Sequence, residues 1–357
     1  MQIIDGKMRS SASRGPAESL SECVLLADLK RFLVVGGAGM IGSRLTRALL
    51  REGRVVHVLD NKGFSAFDPL NPREIRTIED RFDRLLRGAR IIRGSTTSRS
   101  DVDGAFDAAR PDCVLHLAAP PLVASARRDP GAARDTILGG TSNLLEAALA
   151  SGRVRRFVYV SSSMVYGDVA DGPVPESEPT RPVNTYGWLK LAGEFATRTR
   201  LANADTEPVI VRPSGVYGPG DVNRRVVQAF CEAALDGRPA RIGSGAAIDF
   251  THVDDLAGGL VLAATHPSAG GRTFNMTRGA ARSLDDLARV IGDAMGRPLA
   301  LERKPDAEIR PRRGPLDSSL ARALLGFAAP TSLEVGIRSY LDHLAFLSAP
   351  CREMARG

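Results

Sequence analysis

The run Phe32-Leu33-Val34-Val35-Gly36-Gly37-Ala38-Gly39-Met40-Ile41-Gly42 constrains this chain more than any other. Four apolar residues read as a buried strand. Ile41, Leu45, Ala48 and Leu49 then recur at helical spacing. Between strand and helix stand glycines at 36, 39 and 42. Gly36 permits a tight turn, Gly39 lets a pyrophosphate approach the backbone, and Gly42 lets helix and strand pack closely. The helix N-terminus then turns unpaired N–H groups toward the phosphates. Alone the triplet is a weak sign; its strand–turn–helix setting makes it a dinucleotide site. Asp60 ends the next apolar run, Val55–Leu59, about 20 residues beyond the glycines, where a carboxylate accepts from ribose hydroxyls. It would repel a 2′-phosphate, so the expected cofactor is NAD rather than NADP.

Short apolar runs alternate with amphipathic stretches through the first two-thirds of the chain, as in a parallel βαβ sheet. Strands are expected at Phe32–Val35, Val55–Leu59, Ala89–Ile92, Cys113–Leu117, Phe157–Val160 and Val209–Val211. Between the second and third, Ile75, Ile78, Phe82, Leu85 and Leu86 would form the apolar face of an extra helix. Helices are expected at Ala132–Ser151 and Val183–Ala202, and after Arg212-Pro213 at Arg224–Asp236, Asp254–Ala264, Leu284–Met295, Ser318–Leu325 and Leu333–Leu347. The predicted fold is α/β: a Rossmann-type, doubly wound parallel sheet with a smaller C-terminal α/β substrate domain. Its boundaries are a flexible N-terminal extension over 1–29, an NAD-binding domain over 30–212, a mainly substrate-binding domain over 213–347 and a tail over 348–357.

Composition excludes several alternatives. No apolar run approaches the roughly 20 residues of a membrane span, and Met1–Glu22 lacks the apolar core of a secretory signal. A cytoplasmic protein is expected. The formal charge of +7 comes from scattered Lys and Arg with few aromatics, which suits a phosphorylated small molecule better than nucleic acid. Cys23, Cys113, Cys231 and Cys351 form no CxxC pair, and the histidines show no metal-ligand spacing. No metal is expected; Cys113 reads as a buried thiol and His252 as a hydrogen-bonded structural residue.

Two segments carry the chemistry. Phe157–Val160 runs into Ser161, Ser162 and Ser163, and Tyr186-Gly187-Trp188-Leu189-Lys190 is a YxxxK inside a predicted helix. Spacing of four puts Tyr186 and Lys190 on one helix face. An ammonium beside the phenol, with the positive ring of NAD⁺, would stabilise phenolate and lower the Tyr186 pKa toward neutrality. The tyrosine could then take a hydroxyl proton while hydride leaves the same carbon, with a serine hydroxyl sharing that oxygen.

With Leu115–Ala119, Gly140–Glu146, Ser162–Gly167, Tyr186–Glu194, Arg212–Gly220, Asp249–Asp255 and Leu325–Phe327, these segments make the chain resemble the extended short-chain dehydrogenase/reductases of the NAD-dependent epimerase/dehydratase family over about Phe32–Leu344. The resemblance implies Ser162 as the catalytic hydroxyl beside Tyr186 and Lys190. It places Met40, Ile41, Asn61, Leu117, Ala118, Ala119, Lys190 and Pro213 with Gly36, Gly39, Gly42 and Asp60 around NAD. It also implies a homodimer through the helices 132–151 and 183–202 as a four-helix bundle, with Ile137, Leu138, Leu144, Leu145, Leu189 and Phe195 as available apolar positions.

Departures narrow the reaction. Dehydratases of this family place Asp-Glu after the catalytic hydroxyl, and the decarboxylases keep the Glu; here those positions are Ser163 and Met164. A nucleotide-sugar 4-epimerase acting on a UDP-hexose or UDP-hexuronate is therefore expected, the alternatives being an NAD-dependent dehydrogenase or 4-ketoreductase and a non-catalytic NAD-binding protein. Residues commonly meeting the ligands are replaced by Gly215, Ile248 and Ser95. Arg224, Arg225 and Arg312 or Arg313 are candidate phosphate ligands, and Ser162, Ser163, Tyr186 and Gly215 would meet the sugar nucleotide.

Overall fold

A computed structural model describes residues 29–61, 69–120, 122–169, 172–243, 247–303 and 314–348; the predicted extension and tail and Arg312 lie outside the described residues, except Leu29 and Ser348. Seven parallel strands form one sheet: β1 (Arg31–Val35), β2 (Val55–Asp60), β3 (Arg90–Arg93), β4 (Cys113–His116), β5 (Arg156–Val160), β6 (Glu207–Arg212) and β7 (Thr273–Asn275). Their order is β7-β6-β5-β4-β1-β2-β3. The central strands β1, β4 and β5 are apolar nearly throughout because helices cover both faces. The order reverses between β1 and β4, and a crevice opens at the carboxyl ends there.

Helices α1 (Met40–Arg51), α2 (Pro72–Asp80), α3 (Arg99–Ala109), α4 (Gly140–Ser151) and α5 (Thr185–Leu201) connect the first six strands. Beyond β6, α6 (Val226–Leu235), α8 (Leu284–Met295) and α10 (Leu333–Ser348) share a separate apolar core around Phe230, Ile291 and Ile337. α7 (Val253–Thr265) instead returns to the sheet, where Leu256 and Leu260 join Leu45 and Leu49 of α1. α9 (Ser319–Leu325) lies against the same side. Six strands match their predicted positions within a few residues. The seventh was not foreseen: Thr-Phe-Asn is too short and too polar to announce itself.

Two other expectations need correction. The predicted helix over 132–151 contains a π turn, Asp135–Gly139, before α4. On α2 and the π turn Arg81–Leu85, Leu86 and Phe82 of the expected apolar face pack on the core, but Ile75 is 44% exposed and Glu74, Thr77 and Arg81 are buried as well. Their burial is possible because the neighbouring segment supplies Arg224 and the Gly220 carbonyl as partners. Of the apolar positions assigned to a dimer face, Ile137, Leu144 and Leu145 are fully buried within the protomer.

α5 lies so close to β5 that a Cβ at Gly193 would overlap the hydroxyl of Tyr159, itself fully buried. Gly193→Ala should therefore cost about 1–3 kcal/mol by overpacking. Gly258→Ala, on the exposed face of α7 with nothing nearby, should stabilise by up to about 1 kcal/mol. Urea unfolding of both variants checks the contrast; equal midpoints would contradict it.

Candidate active site

A cleft of about 1220 Å³ runs along the carboxyl ends of the strands. Every described residue predicted for the site lines it. Gly36, Gly39, Met40, Ile41 and Gly42 come from the β1–α1 turn, Asp60 and Asn61 from the end of β2, and Leu117, Ala118 and Ala119 from beyond β4. Ser162 and Ser163 follow β5, Tyr186 and Lys190 come from α5, and Pro213, Gly215, Arg224 and Arg225 lie beyond β6.

The glycine loop fits a dinucleotide diphosphate. Gly36 has φ +78°, and a Cβ there would stand 2.8 Å from the Ala118 nitrogen. A Cβ at Gly42 would strike the Gly36 carbonyl. At Gly39 an added Cβ meets only that carbonyl, at 3.4 Å, so this position opens to the cleft. Gly39 caps α1 without a side-chain hydrogen bond, and the first turn holds no acid, so its N–H groups are suited to an anion. Asp60 is 8% exposed and fixes the loop by accepting the Ala38 N–H at 3.0 Å.

Asn184 caps α5 by accepting the Gly187 N–H at 2.9 Å, which sets Tyr186 in the first turn. Lys190, one turn on, is buried; its Nζ donates to the Val160 carbonyl at 2.8 Å and lies 5.9 Å from the Tyr186 ring centre. Burial lowers the Lys190 pKa to about 7, opposed by the Glu194 carboxylate. The sequence led us to expect a depressed Tyr186 pKa. Without cofactor the reverse holds: burial pushes the phenol up to about 12, and the opposing charge is Arg225. Desolvation of the phenolate outweighs a lysine that itself ionises weakly.

Ser162 is extended, and its Oγ accepts the Met164 N–H at 3.2 Å. Ser163 donates to Ser214 Oγ at 3.2 Å. Ser161 also borders the cleft but turns into the core, donating to Glu194 Oε1 at 2.6 Å. Glu194 is fully buried and accepts from Nε and Nη2 of Arg212, at 2.9 and 2.7 Å. Arg212 continues to the Tyr166 hydroxyl, which donates to Asn275 on β7 at 2.8 Å.

The arginines chosen for phosphate differ in their surroundings. Arg224, at φ +50°, donates to both oxygens of buried Glu74, at 2.8 and 3.0 Å. Arg225 is held by Asp221 at 2.7 Å. Cleft residues that no motif marked include Thr136, on the π turn before α4, and Arg241, on a short strand. His252 caps α7 through Nδ1, which accepts the Asp254 N–H at 3.3 Å, and Cys113 is a buried free thiol pushed up to about 12.

A model of the NAD dependent epimerase/dehydratase family matches residues 32–277. UDP-glucose 4-epimerase of Mycolicibacterium smegmatis is 33% identical over 320 residues, covering 87% of this chain and 97% of that protein. dTDP-glucose 4,6-dehydratase of Streptomyces griseus is 31% identical over 312 residues, covering 85% and 91%. The crystal structure of UDP-glucuronic acid 4-epimerase from Bacillus cereus, in complex with UDP-glucuronic acid and NAD, superposes with a TM-score of 0.79 at 27% identity, over 88% of this chain and 99% of that one.

The buried lysine makes a prediction about stability. Between pH about 7 and the ordinary 10.5, the unfolded chain holds a proton at Lys190 that the folded, cofactor-free chain has released. Folding stability should therefore gain from this group as pH rises through that window. Urea unfolding of wild type and Lys190→Met at pH 7, 8 and 9 isolates the effect. The stability of wild type minus that of the variant should rise with pH; a fall would show the shift has the opposite sign.

Proposed function

Because this chain belongs to the NAD dependent epimerase/dehydratase family, we propose that it is a nucleotide-sugar 4-epimerase. Its substrate is a UDP-hexose or UDP-hexuronate, inverted at C4 through a transient 4-keto sugar. The observation that carries this reading is one cleft holding Ser162, Tyr186, Lys190 and the glycine loop, with Met164 beside them. Elimination of water or loss of carbon dioxide calls for an acid or base where this chain has a thioether. Oxidation followed by reduction at one carbon does not.

NAD, held by the glycine loop and Asp60, would supply a hydride acceptor and donor and a positive charge near the phenol. Tyr186 takes the proton of the 4-hydroxyl and gives it back after the sugar has turned. Its phenolate is costly in the closed cleft, so the cations around it, Lys190 and Arg225, determine how readily it forms. Ser162 donates a hydrogen bond to the reacting oxygen. Arg224, Arg225 and Arg312 or Arg313 are our candidates for the diphosphate that Ile248 cannot bind; Arg224 and Arg225 would share their charge with Glu74 and Asp221.

We also read the chain as a cytoplasmic homodimer. Its described cysteines, Cys113 and Cys231, are buried free thiols, in keeping with a reducing compartment. Trp188 and Phe195 are 58% and 59% exposed and stand seven residues apart on α5, the face a partner helix would cover. Light scattering at micromolar concentration should give twice the chain mass; a monomer refutes the dimer.

For the reaction, the enzyme carrying NAD is incubated with UDP-hexose or UDP-hexuronate without added reductant, and the sugar is followed by NMR. The C4 epimer should appear. Tyr186→Phe should slow turnover by about 10²–10⁴-fold while NAD stays bound. Stoichiometric NADH release, carbon dioxide or a 6-deoxy-4-keto product would each overturn the assignment.

A further inference from the structure

The polar face of the β2–β3 insert points to a role that no motif announces. Arg81 begins the π turn after α2 and is 1% exposed. One arm, Nη1, donates to the Ala38 carbonyl at 3.0 Å, in the middle of the glycine loop. The other, Nη2, donates to the Gly220 carbonyl, in the loop beyond β6 that leads to Arg225. Ala38 is thus gripped on both sides, its N–H by Asp60 and its carbonyl by Arg81. Gly220, at φ +104°, precedes Asp221, which is 5% exposed and holds Arg225.

The rest of the insert reaches the same way. Glu74 takes Arg224, and Arg73 pairs with Asp236 at the end of α6 at 2.8 Å. Arg81 Nε has no hydrogen-bond partner among the described residues. What an apolar side chain of equal volume could not supply is the fork: two donors in fixed geometry, each on a carbonyl of a different loop. π turns recur where a helix must present a residue at a functional position.

We propose that Arg81 is a positioning residue that ties the dinucleotide loop to the 218–225 loop of the substrate cleft, so that NAD and the nucleotide of the sugar substrate bind with coupled affinities. This rests on the reading above, with NAD at Gly36–Gly42 and the sugar nucleotide beside Arg225. Each ligand orders one of the two loops that Arg81 joins, and the coupling is necessarily reciprocal.

The test uses the enzyme carrying NAD, with UDP as the probe. Release of NAD is timed with and without saturating UDP, and the melting temperature of each protein is recorded. In wild type UDP should slow release at least fivefold. Arg81→Met should release NAD at least tenfold faster, and UDP should no longer alter its rate. Arg81→Lys, which keeps the charge and a single donor arm, should fall between the two; it also carries the test if the methionine variant does not fold. A purely structural Arg81 would lower the melting temperature yet leave NAD release and its response to UDP as in wild type, and that result overturns the proposal. So does a wild type that binds both ligands independently. A wild type that binds NAD but no UDP overturns the nucleotide-sugar reading, and the coupling with it.

Discussion

Glu194 and Arg212 face each other in the core, nearly out of reach of water, and much of the site's geometry hangs on that pair. Each charge would be strongly destabilising alone; together, with both arginine arms engaged, they compensate for their lost hydration. The pair joins three elements that carry chemistry. Glu194 lies one turn beyond Lys190 on α5, Ser161 at the end of β5 is its second ligand, and Arg212 ends β6 just before Pro213. Through Tyr166 and Asn275 the same network reaches β7. Losing Glu194 would leave Arg212 a buried, uncompensated charge, and losing Arg212 would leave Glu194 with only the half-exposed Arg198 at 3.2 Å; either would loosen α5 from the two strand ends.

The same carboxylate shapes the electrostatics of the cleft. A lysine as buried as Lys190 would shed its proton still more readily without Glu194. Nearby His116 is kept neutral, its pKa lowered to about 3 by burial and by Lys190, so it adds no competing charge. Tyr186 therefore faces a modest, adjustable positive field, and in the absence of cofactor it stays a phenol. If Tyr186 is the base, as we propose, it becomes effective only when further positive charge enters the cleft.

How much of this was legible in the sequence follows from what each feature buries. Central strands such as Val34 in β1 and Val114 in β4 lie between two layers of helices, so they appear as unbroken apolar runs. Gly36, Gly42 and Tyr186 carry steric or chemical demands that few other residues meet. Those features were readable. The polar face of α2 was not, because hydrophobic periodicity assumes that helices bury oil; Glu74 and Arg81 are buried against partners more than a hundred residues away. Nor do the π turns leave a mark, since one extra residue per turn changes no residue type. Ser161 and Ser162 are identical in chemistry, and only the presence of Glu194 behind the strand separates a core ligand from a cleft hydroxyl.

The return of the chain to the sheet orders events in time. β6 pairs with β5, the strand before it, yet its other edge is covered only by Thr273–Asn275, made after α6 and the loops of the second core. α7, which packs on α1, is equally late. On the ribosome the dinucleotide half must therefore wait with one strand edge bare and one helix face uncovered, an invitation to pair with another chain. A fragment ending at Arg212 would contain the glycine loop, Asp60, Tyr186 and Lys190 and still be an unfinished sheet. In this protein the part of the chain before Arg212 is closed, at one sheet edge and over one helix face, by residues that come after it.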